Sequence, residues 1–387
     1  MVKLLPIQDE LVRLGIALNL FRLGNNLVGV FIPLVILQSG GKLWMIAGFY
    51  TLYALTKLCL NLPLMRFIQQ RGSHIGLGLG FAFGGLELAN ILGYASTSNS
   101  FFLIVGALSL AVTNSLIWNA QHVFISRVMN ETTKSSSIAS IEIIGQSLDV
   151  LGPILGAVIG SLFGASWLLL AALLLIVCAV IALRNMSNID PVRAEKIRYS
   201  LDGAPFRDIA ANFCFNIETS VGVMLWPIYL AVALKTFGAI GGVAAISAAA
   251  TILTVSLAGR RGDQGKDRSV LREGVVVSSA VHVLRVVATT PLLITVIGSI
   301  YKASLAYFQN SWTSTYYSHA KKHGSQYIMS MEIACDAAYL TLWGGLLLVL
   351  SLSGSSRLFF VSAFGVAAIA AWGCLLISPQ GQLESAS

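Results

Sequence analysis

The chain has 387 residues and a formal net charge of +8; 56% of its residues are hydrophobic and only 11% are charged. Its mean hydropathy is +0.78. A water-soluble domain carries about 25% charged residues, so a chain this apolar cannot cover itself in water and needs lipid as its solvent. Basic residues lie between the apolar runs rather than in one patch, which excludes a nucleic-acid-binding surface.

A membrane-crossing helix takes about 20 mostly apolar residues. In chain order such runs cover 13–37, 43–64, 73–94, 101–118, 138–163 and 167–183. Six more follow at 209–234, 237–258, 275–293, 297–317, 328–352 and 358–377. The expected fold is all-α: twelve transmembrane helices as two six-helix bundles, residues 1–183 and 209–387, joined by a cytoplasmic linker over 184–208. Alternate connections are short, as at 38–42 and 164–166. The residues before the first run are few and mixed, so no cleavable leader is expected.

Basic residues orient the spans. With both termini cytoplasmic, eighteen of the 25 Lys and Arg fall on the cytoplasmic side. Only Lys42, Lys235 and Arg357 fall opposite, and Arg22, Lys57, Arg285 and Lys302 lie within runs. That bias satisfies the positive-inside rule. Cys59, Cys178, Cys214, Cys335 and Cys374 all sit in apolar runs without a CxxC spacing, and read as small buried hydrophobes. His74, His122, His282, His319 and His323 lack metal-ligand spacing, so neither metal nor cofactor is expected.

The halves repeat. Residues 16–30 align without gaps to 209–223, with Asn19 matching Asn212, and Ser140 to Ile143 match Ser330 to Ile333, with Glu142 matching Glu332. Run 1 thus corresponds to run 7, and run 5 to run 11, in parallel orientation.

Twelve runs in two parallel halves around a long basic connection resemble the major facilitator superfamily. Between runs 2 and 3 that family carries a Gly-x-x-x-Asp-Arg-x-Gly-Arg-like motif. Here the copy between runs 8 and 9 is the better one, from Gly259 through Asp263 and Gly265 to Arg268, with Asp263 one residue closer to Gly265 than usual. The first copy, Met65 to Gly72, has Gln69 where the acid belongs. Gly145, Asp149, Gly152, Pro153, Gly156 and Gly160 in run 5 resemble the Gly-Pro-rich motif of the family's exporters, with Asp149 in place of a small residue. Small residues at these intervals serve close helix packing equally well. The resemblance implies a carrier that works by alternating access, and this motif points to export.

An ionisable side chain at the bilayer centre costs about 2.5–3.5 kcal/mol or more, so each needs a partner or a wet cavity. Glu142, Gln146, Asp149 and Pro153 form one helical stripe, and Glu332, Asp336, Tyr339 and Trp343 occupy the same offsets in run 11. Asn19, Arg22 and Asn26 share a stripe in run 1, with Asn25 alongside, and Glu218 is the repeat partner of Asn25. Arg22 and Glu218 suggest either a permanent ion pair between the halves or a split site in which Arg22 holds a carboxylate or phosphate. Runs 4 and 10 add Asn119, Gln309, Asn310 and Trp312.

The expected solute contacts are Asn19, Arg22, Asn25, Asn26, Asn119, Glu218, Gln309, Asn310, Trp312 and Asp336, with Glu218, Asp149 and Asp336 as proton carriers and Arg127, Glu142, Asp263 and Glu332 as a cytoplasmic gate. Lys57 and Lys302 are read as snorkelling, Tyr316 and Tyr317 as an interfacial belt, and His282 and Arg285 as pairing with neighbours. No nucleotide-binding Gly-x-x-x-x-Gly-Lys-Ser/Thr occurs, so energy comes from an ion or solute gradient. The expected function is proton-coupled transport of a small anionic or zwitterionic organic solute by a monomer in a bacterial inner membrane. The alternatives are a receptor or scaffold, or a membrane-embedded transferase; short loops argue against the last.

Overall fold

The computed structural model describes residues 5–128, 135–183, 197–262 and 267–378, and among these it is helical, without a strand. Helices α1 (Leu5–Val28) and α2 (Ile32–Gln38) are parted by a turn at 29–31 and restarted by Pro33, whose missing N–H costs nothing in a first turn. Then come α3 (Leu43–Arg71), α4 (Ser73–Thr97), α5 (Ser100–Val128), α6 (Ser135–Phe163) and α7 (Ala165–Leu183). Helix α8 (Phe206–Ser220) runs through a π turn, Val221–Leu225, into α9 (Trp226–Leu234). The remainder is α10 (Phe237–Gly262), α11 (Asp267–Arg285), α12 (Pro291–Ser353) and α13 (Ser356–Gly373).

Among the described residues, eight stretches are long and apolar enough to cross a membrane: Arg13–Gln38, Leu43–Arg71, Ser73–Thr97, Ser100–Gln121, Ala165–Leu183, Phe206–Leu234, Pro291–Ser353 and Ser356–Leu376. Ser147–Phe163 and Phe237–Ile252 are shorter apolar helices. The ninth run departs from expectation. Helix α11 begins at Asp267 and ends at Arg285, because Thr290 caps the next helix by accepting from the Leu293 N–H and Pro291 opens it. Runs 10 and 11 fall in the single 63-residue helix α12. At 1.5 Å per residue it would reach about 95 Å, far beyond a bilayer core of about 30 Å. Gly324, at φ 72° and ψ −164°, interrupts it with a conformation that a Cβ would disfavour.

The chain divides into two compact units, Met1–Lys42 with Leu55–Lys196, and Leu43–Ala54 with Ile197–Ser387. In the first, α1 packs on α6 and α7, and α4 on α5 and α7. In the second, α12 packs on α8, α10 and α11, and α13 on α8 and α11. Each unit therefore joins its first repeat helix to its fifth, α1 to α6 and α8 to the later part of α12.

Helix α7 shows what solvates the outside. Trp167, Leu170, Leu174, Val177 and Ile181 are exposed at alternating spacings of three and four, while Leu168, Leu169, Ala172, Ile176 and Ala179 are buried. One whole face is apolar and uncovered, which lipid tolerates and water does not. Cys59 and Cys178 are exposed as well, so only Cys335 and Cys374 of the five are buried, and all are free thiols.

Candidate functional site

In the first unit α6 lies against α1 through glycines. A Cβ at Gly156 would stand 2.1 Å from the Leu27 carbonyl oxygen, and one at Gly152 would stand 2.5 Å from Asn26 Cβ. Gly145 lies beneath the Arg22 guanidinium. The glycine motif is thus a packing surface, and Asp149 on the same stripe faces α1. Arg22 donates through Nε to Asp149 Oδ1 at 2.8 Å and through Nη2 to Oδ2 at 2.6 Å, and Asn26 Nδ2 donates to Oδ1 at 2.7 Å. Two parallel charge-assisted bonds give the fork geometry that guanidinium makes best. Arg22 and Asp149 keep 32% and 38% of their side-chain surface exposed. Arg22 lies within the apolar stretch Arg13–Gln38 and Asp149 midway along α6, where a charge turned to lipid would be costly.

A second polar group lies deeper in that unit. Asn119 donates to Asn61 Oδ1 at 2.7 Å, and both are buried, as are Lys57 and Glu87. Lys57 therefore does not snorkel.

In the second unit Glu218 has no exposed surface. Its Oε1 accepts from the Ser278 hydroxyl at 2.5 Å and lies 3.2 Å from His282 Nε2. His282 Nδ1 is 3.4 Å from Nη1 of Arg285, whose guanidinium carbon lies over the rings of Trp226 and Tyr301. The π turn begins three residues after Glu218; such turns replace the regular backbone ladder and concentrate at functional positions. Each of the two residues is met inside its own unit, Arg22 by Asp149 and Glu218 by Ser278 and His282.

The repeat position of Arg22 is Phe215, which stacks on Trp312 at 4.7 Å between centroids with the rings 5° apart. Nearby, Asn212 donates to the Met331 carbonyl at 2.7 Å, the Cys335 thiol donates to Asn216 Oδ1 at 3.0 Å, and the Trp343 indole donates to Ser220 at 3.2 Å while stacking on Tyr50 at 4.5 Å. Asp336 has no exposed surface, whereas Gln309 is exposed. Asn19 and Asn25 are half-buried on α1. Tyr316 is buried rather than interfacial. Glu332, Cys335 and Asp336 bring ligand atoms within 4.8 Å of one another, a grouping that histidine spacing does not reveal. A thiol that keeps its hydrogen is not yet the thiolate that binds metal. Of the expected gate, Asp263 and the side chains of Arg127 and Glu142 lie outside the described residues, as does the side chain of Asn310.

At the end of the second unit, Asp208 accepts from His319 Nδ1 at 2.8 Å, from the Tyr327 hydroxyl at 3.1 Å and from the Ser378 N–H at 2.9 Å. Arg268, the last residue of the better motif copy, donates to the carbonyls of Leu375 at 2.5 Å and Ile377 at 3.1 Å. Together they clamp the segment after α13.

No family model and no curated protein matches the sequence. Solved structures do match in fold. The nucleoside transporter NupG aligns at a TM-score of 0.67 and 12% identity over 96% of this chain and 100% of its own. A POT family transporter in complex with 5-aminolevulinic acid aligns at 0.67 and 13%, over 96% of each chain. A bacterial metal transporter aligns at 0.63 and 15%, over 94% of this chain and 97% of its own. All three are transporters rather than enzymes. With its multiple apolar helices, this chain is a multi-pass membrane protein with the fold of major-facilitator-type transporters.

Proposed function

We propose that this chain is a secondary carrier that moves a small organic solute bearing a carboxylate or phosphate, by alternating access of two six-helix halves. Support for twelve spans comes from the eight long apolar stretches, the two shorter apolar helices, α11, and the interruption of α12 at Gly324. The observation that carries the reading is the forked, partly exposed Arg22–Asp149 pair, with Asn26 bonded to the same carboxylate.

The chemistry is an exchange of partners. Asp149 neutralises Arg22 in the empty carrier. An entering anionic group offers the guanidinium an equivalent pair of oxygens and takes its place. A proton then compensates the carboxylate left without its cation, so solute and proton binding are linked. Glu218 and Asp336, both without exposed surface, are the further proton-binding candidates. Asn19, Asn25, Asn119, Gln309, Asn310 and Trp312 complete the proposed solute contacts. The glycine-rich stripe of α6 supports export, a bacterial inner membrane with cytoplasmic termini is the proposed setting, and Glu332 with Arg127, Glu142 and Asp263 forms the proposed gate.

Flux into proteoliposomes under an imposed pH gradient tests this. Arg22→Gln should abolish solute flux, and Asp149→Asn should leave flux that no longer responds to the gradient. Wild-type flux in Arg22→Gln would overturn the reading. Unchanged gradient dependence in Glu218→Gln would remove Glu218 alone.

A further inference from the structure

The carrier reading leaves one buried guanidinium without a task. Arg285 has no exposed surface; its carbon lies 4.2 Å from the Trp226 ring centroid and 4.0 Å from that of Tyr301. Nη1 faces His282, but Nε and Nη2 have no hydrogen-bond partner among the described residues. Those two atoms donate from one edge, the same edge that Arg22 gives to both oxygens of Asp149. The Tyr301 hydroxyl and Glu218, equally buried, lie within hydrogen-bonding reach of each other, though neither the hydroxyl nor Glu218 Oε2 makes a well-formed bond. The Tyr301 hydroxyl lies so close to the π turn that a Cβ on Gly222 would overlap it. The two unpartnered Arg285 donors on α11 thus share one buried cluster with Glu218 on α8 and Tyr301 on α12.

A buried donor left unmade costs about 1–3 kcal/mol, and more when charged. The absent partner has a definable chemistry. The guanidinium edge calls for two acceptor oxygens spaced as in a carboxylate. Tyr301 can add a third bond. Glu218 Oε2 calls for a hydrogen, or supplies one when protonated.

We propose that this cluster is a binding site for a small planar oxyanion of the size of formate, nitrate or bicarbonate, forked on Arg285 and hydrogen-bonded by Tyr301 beside Glu218. Glu218 already balances Arg285, so the anion enters with one proton. The titratable groups around it are Glu218, His282 and Tyr301, with Cys374 after α13 and Cys214 on α8 beyond. Binding therefore strengthens as pH falls. The site lies in the second unit and does not rest on the solute site at Arg22.

The test is a formate titration of the purified full chain, read as thermal unfolding, at ionic strength fixed with a bulky sulfonate. It is run in the Arg22→Gln background, so that the exposed guanidinium cannot contribute. Saturable stabilisation is expected, absent when Arg285→Gln is added. Tyr301→Phe keeps the ring over the guanidinium and removes one donor, and should weaken formate by about tenfold. That comparison decides the matter even where Arg285→Gln does not fold. No saturable shift with formate, nitrate or bicarbonate, or a shift unaltered by Tyr301→Phe, would overturn the proposal and leave water as the occupant. Lost solute flux in Arg22→Gln with formate stabilisation intact would separate the two sites, and each can fail alone.

Discussion

Arg22 and Asp149 should be energetically coupled by about 1–3 kcal/mol in a double-mutant cycle of Arg22→Gln and Asp149→Asn. The magnitude follows from the geometry. Hydrogen bonds to charged groups contribute about 1.5–3 kcal/mol each, and this pair makes two, at 2.6 and 2.8 Å. Exposed pairs, by contrast, contribute about 0.2–1 kcal/mol because water competes. With 32% and 38% of the side chains exposed, the pair belongs between these limits. Each single variant also strands a partner, so each alone should lower stability by more than half of what the double variant loses. The assay is reversible unfolding of all four proteins in one detergent, with denaturant added under fixed ionic strength. Coupling under about 0.5 kcal/mol, the level at which distant sites are simply additive, would refute the claim that the fork holds in the membrane-solvated protein.

Other outcomes follow from packing. Gly156→Ala places a Cβ against the Leu27 carbonyl and should cost about 1–3 kcal/mol or more, whereas Gly365→Ala meets open space and should stay near neutral in the same thermal assay. Asn119→Ala strips the donor from buried Asn61 Oδ1 and should cost about 1–3 kcal/mol, read from the shift in denaturant midpoint. Arg268→Ala should speed amide exchange around the 3-10 turn Cys374–Leu376 and at Ser378, with exchange in α4 unchanged; equal protection in both proteins would rule out the clamp.

Apolar runs located most helices because a lipid-solvated helix needs an unbroken row of such residues, and nothing tertiary has to be known. The ends were harder. Val286 and Val287 prolong the apolar run past Arg285, and the capping signal at Thr290–Pro291 that begins the next helix is local and brief. Glycine spacing in run 5 announced a close contact and did not name its partner. Arg22, Asp149 and Glu218 stood out as costly charges, yet helical period fixes only the face of a side chain. Which helix stands opposite is decided by packing, and so the sequence left Arg22 with either Glu218 or a solute as its counterpart, without naming Asp149. Asn61 carries no charge to mark it, although it lies four residues from Lys57 and both are buried. Phe215 stands at the repeat position of Arg22, and only its stack with Trp312 gives that exchange meaning.

Backbone-to-side-chain contact at Gly145, Gly152 and Gly156 has a consequence for selectivity. Ordinary helix pairs meet through side chains that re-settle when a ligand arrives. Here α1 and α6 meet where there is little left to yield, and the two helices form a splint. In the proposed carrier, the spacing between the cation on one and the carboxylate on the other is then a fixed gauge that a solute would have to match.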